Sequence, residues 1–134
     1  MRFMMMAIPD RDGSAAPSGA SGAEAVVKLT AYNTTLHRAG VLLALDGLWP
    51  PSTGARISSL DGKPTVTDGP SAESNDVIGG YWIIQVRSRE EAIEWAKRAP
   101  MSDNEVIEVR QIREMSGHPE DVQGAADGFS RRTR

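Results

Sequence analysis

The spacing of apolar residues along the chain predicts strand, helix, strand, hairpin, strand, helix and strand in that order. A continuous apolar run over residues 3–8 is typical of a strand that is buried on both faces. Residues 9–22 are rich in Gly, Ser, Ala and Pro and are predicted to form a loop or flap. The capping pair Ser21 and Glu24 favours a helix from there to Gly40. Apolar residues recur on one face of this helix: Val26, Leu29, Tyr32 or Asn33, and Leu36.

The middle of the chain predicts a second strand followed by a small hairpin. Apolar residues dominate 41–48, and two prolines then end the strand. Asp61-Gly62 separates two β-prone segments, residues 55–60 and 64–67. Because glycine accepts the positive φ of a tight turn, this pair favours a hairpin.

Residues 81–87 predict the next strand of the sheet. Gly79 and Gly80 precede it, and their lack of side chains indicates the close approach of another backbone or of a ligand. Since side chains alternate along a strand, one face carries Trp82, Ile84 and Val86, and the other carries Tyr81, Ile83 and Gln85.

A second capping pair, Ser88 and Glu91, opens a helix that Pro100 closes. Glu94 and Arg98 lie four residues apart on it and can form an ion pair. Residues 105–112 predict the last strand, in which Ile107 and Val109 point one way, and Val106, Glu108, Arg110 and Ile112 point the other. From residue 114 to residue 134 the pattern vanishes, which predicts a disordered tail.

This order of elements is a ferredoxin-like split β-α-β pattern with an inserted hairpin, an α+β fold. Two helices can cover only one face of its sheet. The other face would carry apolar and charged residues together, a mixture too apolar for water and too polar for a dry core. We therefore expect a homodimer in which two sheets pack face to face and enclose a cavity. The residues on this face are Tyr81, Ile83, Gln85, Val106, Glu108, Arg110 and part of the methionine-rich first strand.

Composition narrows the class of function. The chain has 134 residues, which fits one domain, and we place it over residues 1–113. A net charge of −3 argues against a nucleic-acid binder. The absence of cysteine excludes disulfides and thiol chemistry, and two histidines make a multi-histidine metal site improbable. We expect no cofactor or metal, no membrane partner and a cytoplasmic location, because the apolar opening is too short to span a bilayer.

The segment from Val66 to Glu73 holds two carboxylates, Asp68 and Glu73, around the turn Asp68-Gly69-Pro70. Asp68 can be a turn residue that bonds to backbone amides, or either carboxylate can be a general acid or base in a partly desolvated pocket. Tyr81 is the aromatic residue expected nearest to that pocket. Glu108 and Arg110 face the same way. They can form an ion pair that fixes the geometry of the dimer, or Arg110 can bind a substrate carboxylate.

A series of short motifs follows one order along residues 1–113. The motifs are Gly47-Leu48-x-Pro50-Pro51, Asp61-Gly62-Lys63-Pro64, Val66-Thr67-Asp68-Gly69-Pro70, Ala72-Glu73, Gly79-Gly80-Tyr81 and Ile107-Glu108-Val109-Arg110. Together they resemble the YCII-related proteins of the DGPF type. The resemblance implies a dimeric α+β barrel built on the ferredoxin-like fold. It implies no particular reaction, because most members have no assigned activity.

Departures from the family pattern fall beside the two carboxylates. Ser71 replaces the usual phenylalanine, and Ser74-Asn75 replaces Thr-Lys, which would open the pocket and remove a positive charge beside Glu73. His37 does not match the family's proposed catalytic histidine. We expect a cofactor-independent enzyme that performs proton transfer, elimination, cyclisation or rearrangement on a small organic molecule. A non-catalytic ligand-binding or regulatory dimer is the alternative.

Overall fold

The computed structural model of the chain describes residues 1–9, 19–69 and 77–114. Within these ranges six strands and two α-helices follow one another in the predicted order. They are β1 (Arg2–Ile8), α1 (Gly19–Arg38), β2 (Leu42–Gly47), β3 (Ala55–Leu60), β4 (Lys63–Asp68), β5 (Gly80–Gln85), α2 (Arg89–Lys97) and β6 (Val106–Gln111).

Four strands form one antiparallel sheet in the order β2-β5-β1-β6. Strand β5 pairs antiparallel with both β1 and β2, so it lies between the two strands that α1 connects. This arrangement is the split β-α-β pattern, and the fold is ferredoxin-like α+β, as the sequence predicts.

The core lies between one face of this sheet and the two helices. Trp82 and Ile84 of β5 are buried there and Tyr81 and Ile83 are only half-buried, which confirms the predicted alternation. Phe3 and Met5 of β1 complete the sheet's contribution. The helices add further buried side chains: Tyr32 and Leu36 from α1, and Ala92 and Ala96 from α2.

Helix α1 packs tightly only along its C-terminal half. Tyr32 and Leu36 are buried as expected, but Val26 is 63% exposed and Leu29 is 40% exposed, so the predicted apolar face does not extend to the start of the helix. The consequence is a gap between the first half of α1 and the sheet.

The ends of the helices follow the predicted signals in part. Helix α1 begins at Gly19, so Ser21 lies in its first turn rather than at its cap, and the last four residues of the predicted 9–22 loop are helical. It ends at Arg38, and Gly40 (φ 75°) follows in a glycine-terminated cap in which its N–H donates to the His37 carbonyl at 3.0 Å. Helix α2 has the predicted N-cap, since Ser88 Oγ accepts from the Glu91 N–H at 3.1 Å.

The predicted ion pair on α2 is wrong. Glu94 Oε1 lies 3.1 Å from Lys97 Nζ, three residues on, rather than beside Arg98. The Arg98 guanidinium instead lies over the Trp95 ring, 4.4 Å from its centre.

The hairpin of β3 and β4 is a separate two-stranded sheet. Asp61 (φ 52°) and Gly62 (φ 76°) form its turn, as predicted. Every residue of both strands is exposed, so the hairpin does not contribute to the core.

The second face of the four-stranded sheet is open in the described part of the chain, because both helices pack on the first face. It carries half-buried Met4 and Ile83 in its central strands and exposed Glu108 and Arg110 on β6. The predicted mixture of apolar and charged residues is therefore confirmed, although a second copy is not part of this structure. Among the described residues, no helix is long and apolar enough to cross a membrane.

Candidate functional site

A cleft of about 600 Å³ opens at one end of the sheet, in the gap beneath the first half of α1. This volume is typical of small-molecule sites. Its walls come from α1, from the ends of β1, β2 and β5, and from residues 100–102 and 105–107. Apolar side chains at its walls include Ala7, Leu29, Leu45, Trp82 and Ile107.

Asp46 and Tyr81 form a hydrogen-bonded pair at this cleft. The register of β2 and β5 places them opposite each other, and the Tyr81 hydroxyl donates to Asp46 Oδ2 at 2.9 Å. That hydrogen bond, together with the negative charge of the carboxylate, raises the pKa of Tyr81. At neutral pH the phenol therefore stays protonated and holds one oxygen of an exposed carboxylate in place.

Gly79 and Gly80, at the start of β5, allow strands β2 and β5 to approach closely. A Cβ on Gly80 would lie 3.0 Å from the Asp46 carbonyl oxygen, so a side chain there would require the two backbones to shift by a few tenths of an ångström. The backbone of Gly79 forms hydrogen bonds to both neighbouring segments. Its N–H donates to the Ala7 carbonyl at 2.7 Å, and its carbonyl accepts from the Leu48 N–H at 2.9 Å. The close backbone approach expected from this pair is confirmed.

Deeper in the cleft, Asn33 of α1 is bonded to Trp82 of β5. The indole Nε1 donates to Asn33 Oδ1 at 2.8 Å. The Trp82 ring meets the edge of Tyr32 at a right angle, with 5.6 Å between ring centres, and the Tyr32 hydroxyl donates to the Trp95 carbonyl at 2.6 Å. The Asn33 amide is thus held by a chain of contacts that runs from α2 through α1 to the sheet.

Charged residues of the cleft are mostly acidic. Glu24 lies 4.0 Å from Lys28, one turn further along α1. Glu105 accepts a hydrogen bond from the Ser102 N–H at 2.6 Å. Together with Asp46, three carboxylates and one ammonium group line the cleft, so its charge is negative.

The structure places the sequence-predicted site residues far apart. Tyr81 lines the cleft, whereas Gln85 lies four residues further along the same strand, about 13 Å away, and pairs with Arg2. Glu108 and Arg110 are exposed on the open face, opposite Met6 and Met4 respectively, and do not pair with each other among the described ion pairs.

Asp68 is the last residue of β4, exposed on the hairpin and outside the cleft. Its neighbour Gly69 has a φ of 73° and donates to the Gly54 carbonyl at 2.9 Å, which agrees with a turn. Glu73 and Ser71 lie outside the described residues, as do Ser74-Asn75, most of the 9–22 segment and the tail after residue 114. A catalytic role for Asp68 or Glu73 stays a prediction.

Sequence reasoning missed Asp46 and Asn33. Asp46 resembled a strand-ending Asp-Gly pair, and Asn33 competed with Tyr32 for one position on the helix face. The signal that identifies Asp46 is strand register, because only the pairing of β2 with β5 brings Asp46 opposite Tyr81. Register is set by tertiary packing and cannot be read from one strand alone.

The model of the YCII-related domain matches residues 1–116. The chain belongs to the YCII-related family. No curated protein matches the chain significantly. Membership in the YCII-related family agrees with the ferredoxin-like fold and leaves the reaction to be argued from the cleft. In the described part of this YCII-related chain, no three His, Asp or Glu side chains are close enough to hold a metal ion.

Proposed function

We propose that this YCII-related protein is a homodimeric enzyme that transfers a proton on a small, partly apolar organic molecule bound in the cleft. The observation that carries the proposal is the hydrogen bond between Tyr81 and Asp46 at the cleft. Proton transfer by a positioned carboxylate serves elimination, cyclisation and rearrangement equally well. No cofactor is needed for these reactions.

Asp46 is the proton acceptor in this proposal. Tyr81 engages Oδ2 and so orients the carboxylate, and Oδ1 takes the proton in this proposal. Once Asp46 takes a proton, the phenol remains beside it as a neutral hydrogen-bond donor. Asp68 and Glu73 are the alternative acceptors, if the loop that contains them lines the pocket of the dimer.

The open sheet face supports the homodimer. Met4 and Ile83 offer apolar area at its centre, and a second sheet packed about 10 Å away would bury it. Tyr81 belongs to the same face, since it alternates with buried Trp82. A second copy would therefore shield the Asp46–Tyr81 pair from water, and exclusion of water strengthens electrostatic interactions in a site.

Solvent deuterium exchange tests the proposal without knowledge of the natural substrate. Small ketones, esters and nitroalkanes are incubated with the protein in D₂O, and loss of the C–H signal is followed by proton NMR. We expect exchange above the buffer rate, reduced about 100-fold by Asp46→Asn because a general base contributes 10² to 10⁴ in rate. Asp61→Asn is the matched control, since it makes the same change in the hairpin turn. An Asp46→Asn variant that keeps full activity would contradict the assignment.

A ligand-binding or regulatory dimer is the second candidate. The exposure of Asp46 favours it, because an exposed carboxylate can orient a ligand without transferring a proton. This candidate predicts that compounds bind in the cleft while no member of the panel exchanges above the buffer rate.

A further inference from the structure

Asn33 presents an amide on an otherwise apolar part of the cleft wall. It follows buried Tyr32 on α1 and is half-buried itself. Asparagine is a weak helix former, and burial of an amide is unfavourable without hydrogen bonds, so neither propensity nor hydrophobic packing favours it here. Ala7, Leu45 and Ile107 line the same cleft and offer no side-chain polar atoms.

The indole of Trp82 determines which way this amide points. An indole N–H can only donate, so the Asn33 atom that faces it at 2.8 Å is the acceptor Oδ1. The Nδ2 group, with two N–H donors, is therefore directed away from Trp82. Among the hydrogen bonds between described residues, Asn33 takes part through Oδ1 and none has Nδ2 as its donor.

The charge of the cleft limits what can accept from these donors. Glu24, Asp46 and Glu105 outnumber Lys28, whose nearest carboxylate is already that of Glu24. An anionic ligand group would be repelled by this surplus of carboxylates. A neutral carbonyl oxygen has two lone pairs, carries no charge and suits an amide donor.

We infer that the cleft selects small, mainly apolar molecules that carry a neutral carbonyl oxygen, and that Asn33 Nδ2 donates a hydrogen bond to that oxygen. The inference rests on the proposal that the cleft binds a small molecule. It adds a specificity residue, Asn33, to the cleft that the proposed proton acceptor, Asp46, also lines. It also names the ligand class that the cleft rejects, the small carboxylates.

Three probes of similar shape test this selection by NMR titration of the ¹⁵N-labelled protein. Acetophenone carries a neutral carbonyl, benzoate carries an anionic carboxylate, and ethylbenzene carries no oxygen. We expect acetophenone to shift the side-chain amide signals of Asn33 and the indole signal of Trp82. Ethylbenzene should leave the Asn33 amide signals in place while shifting those of the apolar wall, and benzoate should bind most weakly.

Asn33→Asp keeps an oxygen for the Trp82 N–H and removes both donors. It should weaken acetophenone about fivefold, the worth of one hydrogen bond, and leave ethylbenzene unchanged. Asn104→Asp is the matched control, because it makes the same change at an exposed position outside the cleft.

Equal losses for acetophenone and ethylbenzene in Asn33→Asp, or preferred binding of benzoate, would overturn this inference and leave the cleft as the binding site. If none of the probes shifts any signal of the cleft, the proposed function fails as well. The comparison of probes in the unaltered protein needs no variant, so a folding defect in Asn33→Asp would not remove the test.

Discussion

Removal of one hydroxyl, by Tyr32→Phe, tests how α1 is joined to α2. Tyr32 is 6% exposed, and its hydroxyl donates to the Trp95 carbonyl at 2.6 Å. That carbonyl also accepts from the Arg98 N–H at 3.1 Å, so the substitution leaves it with one partner. The expected loss is therefore that of a single hydrogen bond, about 1 kcal/mol in the free energy of unfolding at pH 7.

The contribution of the Tyr32 hydroxyl to the free energy of unfolding also depends on pH, because the phenol can lose its proton. Burial raises the pKa of Tyr32 to about 12 from its usual 10, while the nearby Arg98 charge opposes the shift. A raised pKa in the folded state means that the contribution is complete below pH 10 and is lost between pH 10 and pH 12. The loss is at most about 2.7 kcal/mol, since one pKa unit corresponds to about 1.4 kcal/mol.

Urea denaturation followed by circular dichroism measures both effects. Tyr32→Phe should be the less stable protein at pH 7 and the more stable one near pH 12, so the two stability curves cross. Because the chain has two tyrosines, an absorbance titration of Tyr81→Phe reports Tyr32 alone and should give a midpoint near 12. Parallel curves from pH 7 to pH 12, or a midpoint near 10, would refute the reasoning.

Two further substitutions address the dimer and the predicted loop. Ile83→Lys places a charge at the centre of the open face, so sedimentation at micromolar concentration should give a folded monomer of 14.4 kDa. The unaltered protein and the control Ile57→Lys, which changes an exposed residue of the hairpin, should give twice that mass. A monomeric unaltered protein would exclude the dimer. Asp68→Asn changes an exposed residue, so it should alter the free energy of unfolding by less than about 0.5 kcal/mol. The variant should also keep its catalysis of deuterium exchange into the ligand. Loss of that activity with intact stability would make Asp68 the proton acceptor.

The fold could be predicted because its signals are local. The alternation around Trp82 and Ile84 defines the buried face of β5, and the Ser88 cap defines the start of α2. The Asp61-Gly62 turn requires positive φ at both residues, which few other pairs accept. Each of these signals depends on neighbours in the chain, so one sequence contains them.

The cleft could not be predicted because it depends on distances between elements. Val26 and Leu29 fit a continuous apolar helix face, yet the first half of α1 stands away from the sheet and leaves the cleft beneath it. The register of β2 against β5 decides that Asp46 meets Tyr81. Neither the gap beneath α1 nor the register has a local signature, so the two carboxylates around the Asp-Gly-Pro turn, Asp68 and Glu73, attracted the prediction instead.

The most direct test of the cleft as the ligand site is a crystal structure of the protein grown with acetophenone. We expect electron density for the probe beneath the first half of α1, with its oxygen within hydrogen-bond distance of Asn33 Nδ2. Density beside Asp68 and Glu73, with an empty cleft, would contradict the assignment and return the site to the loop between β4 and β5.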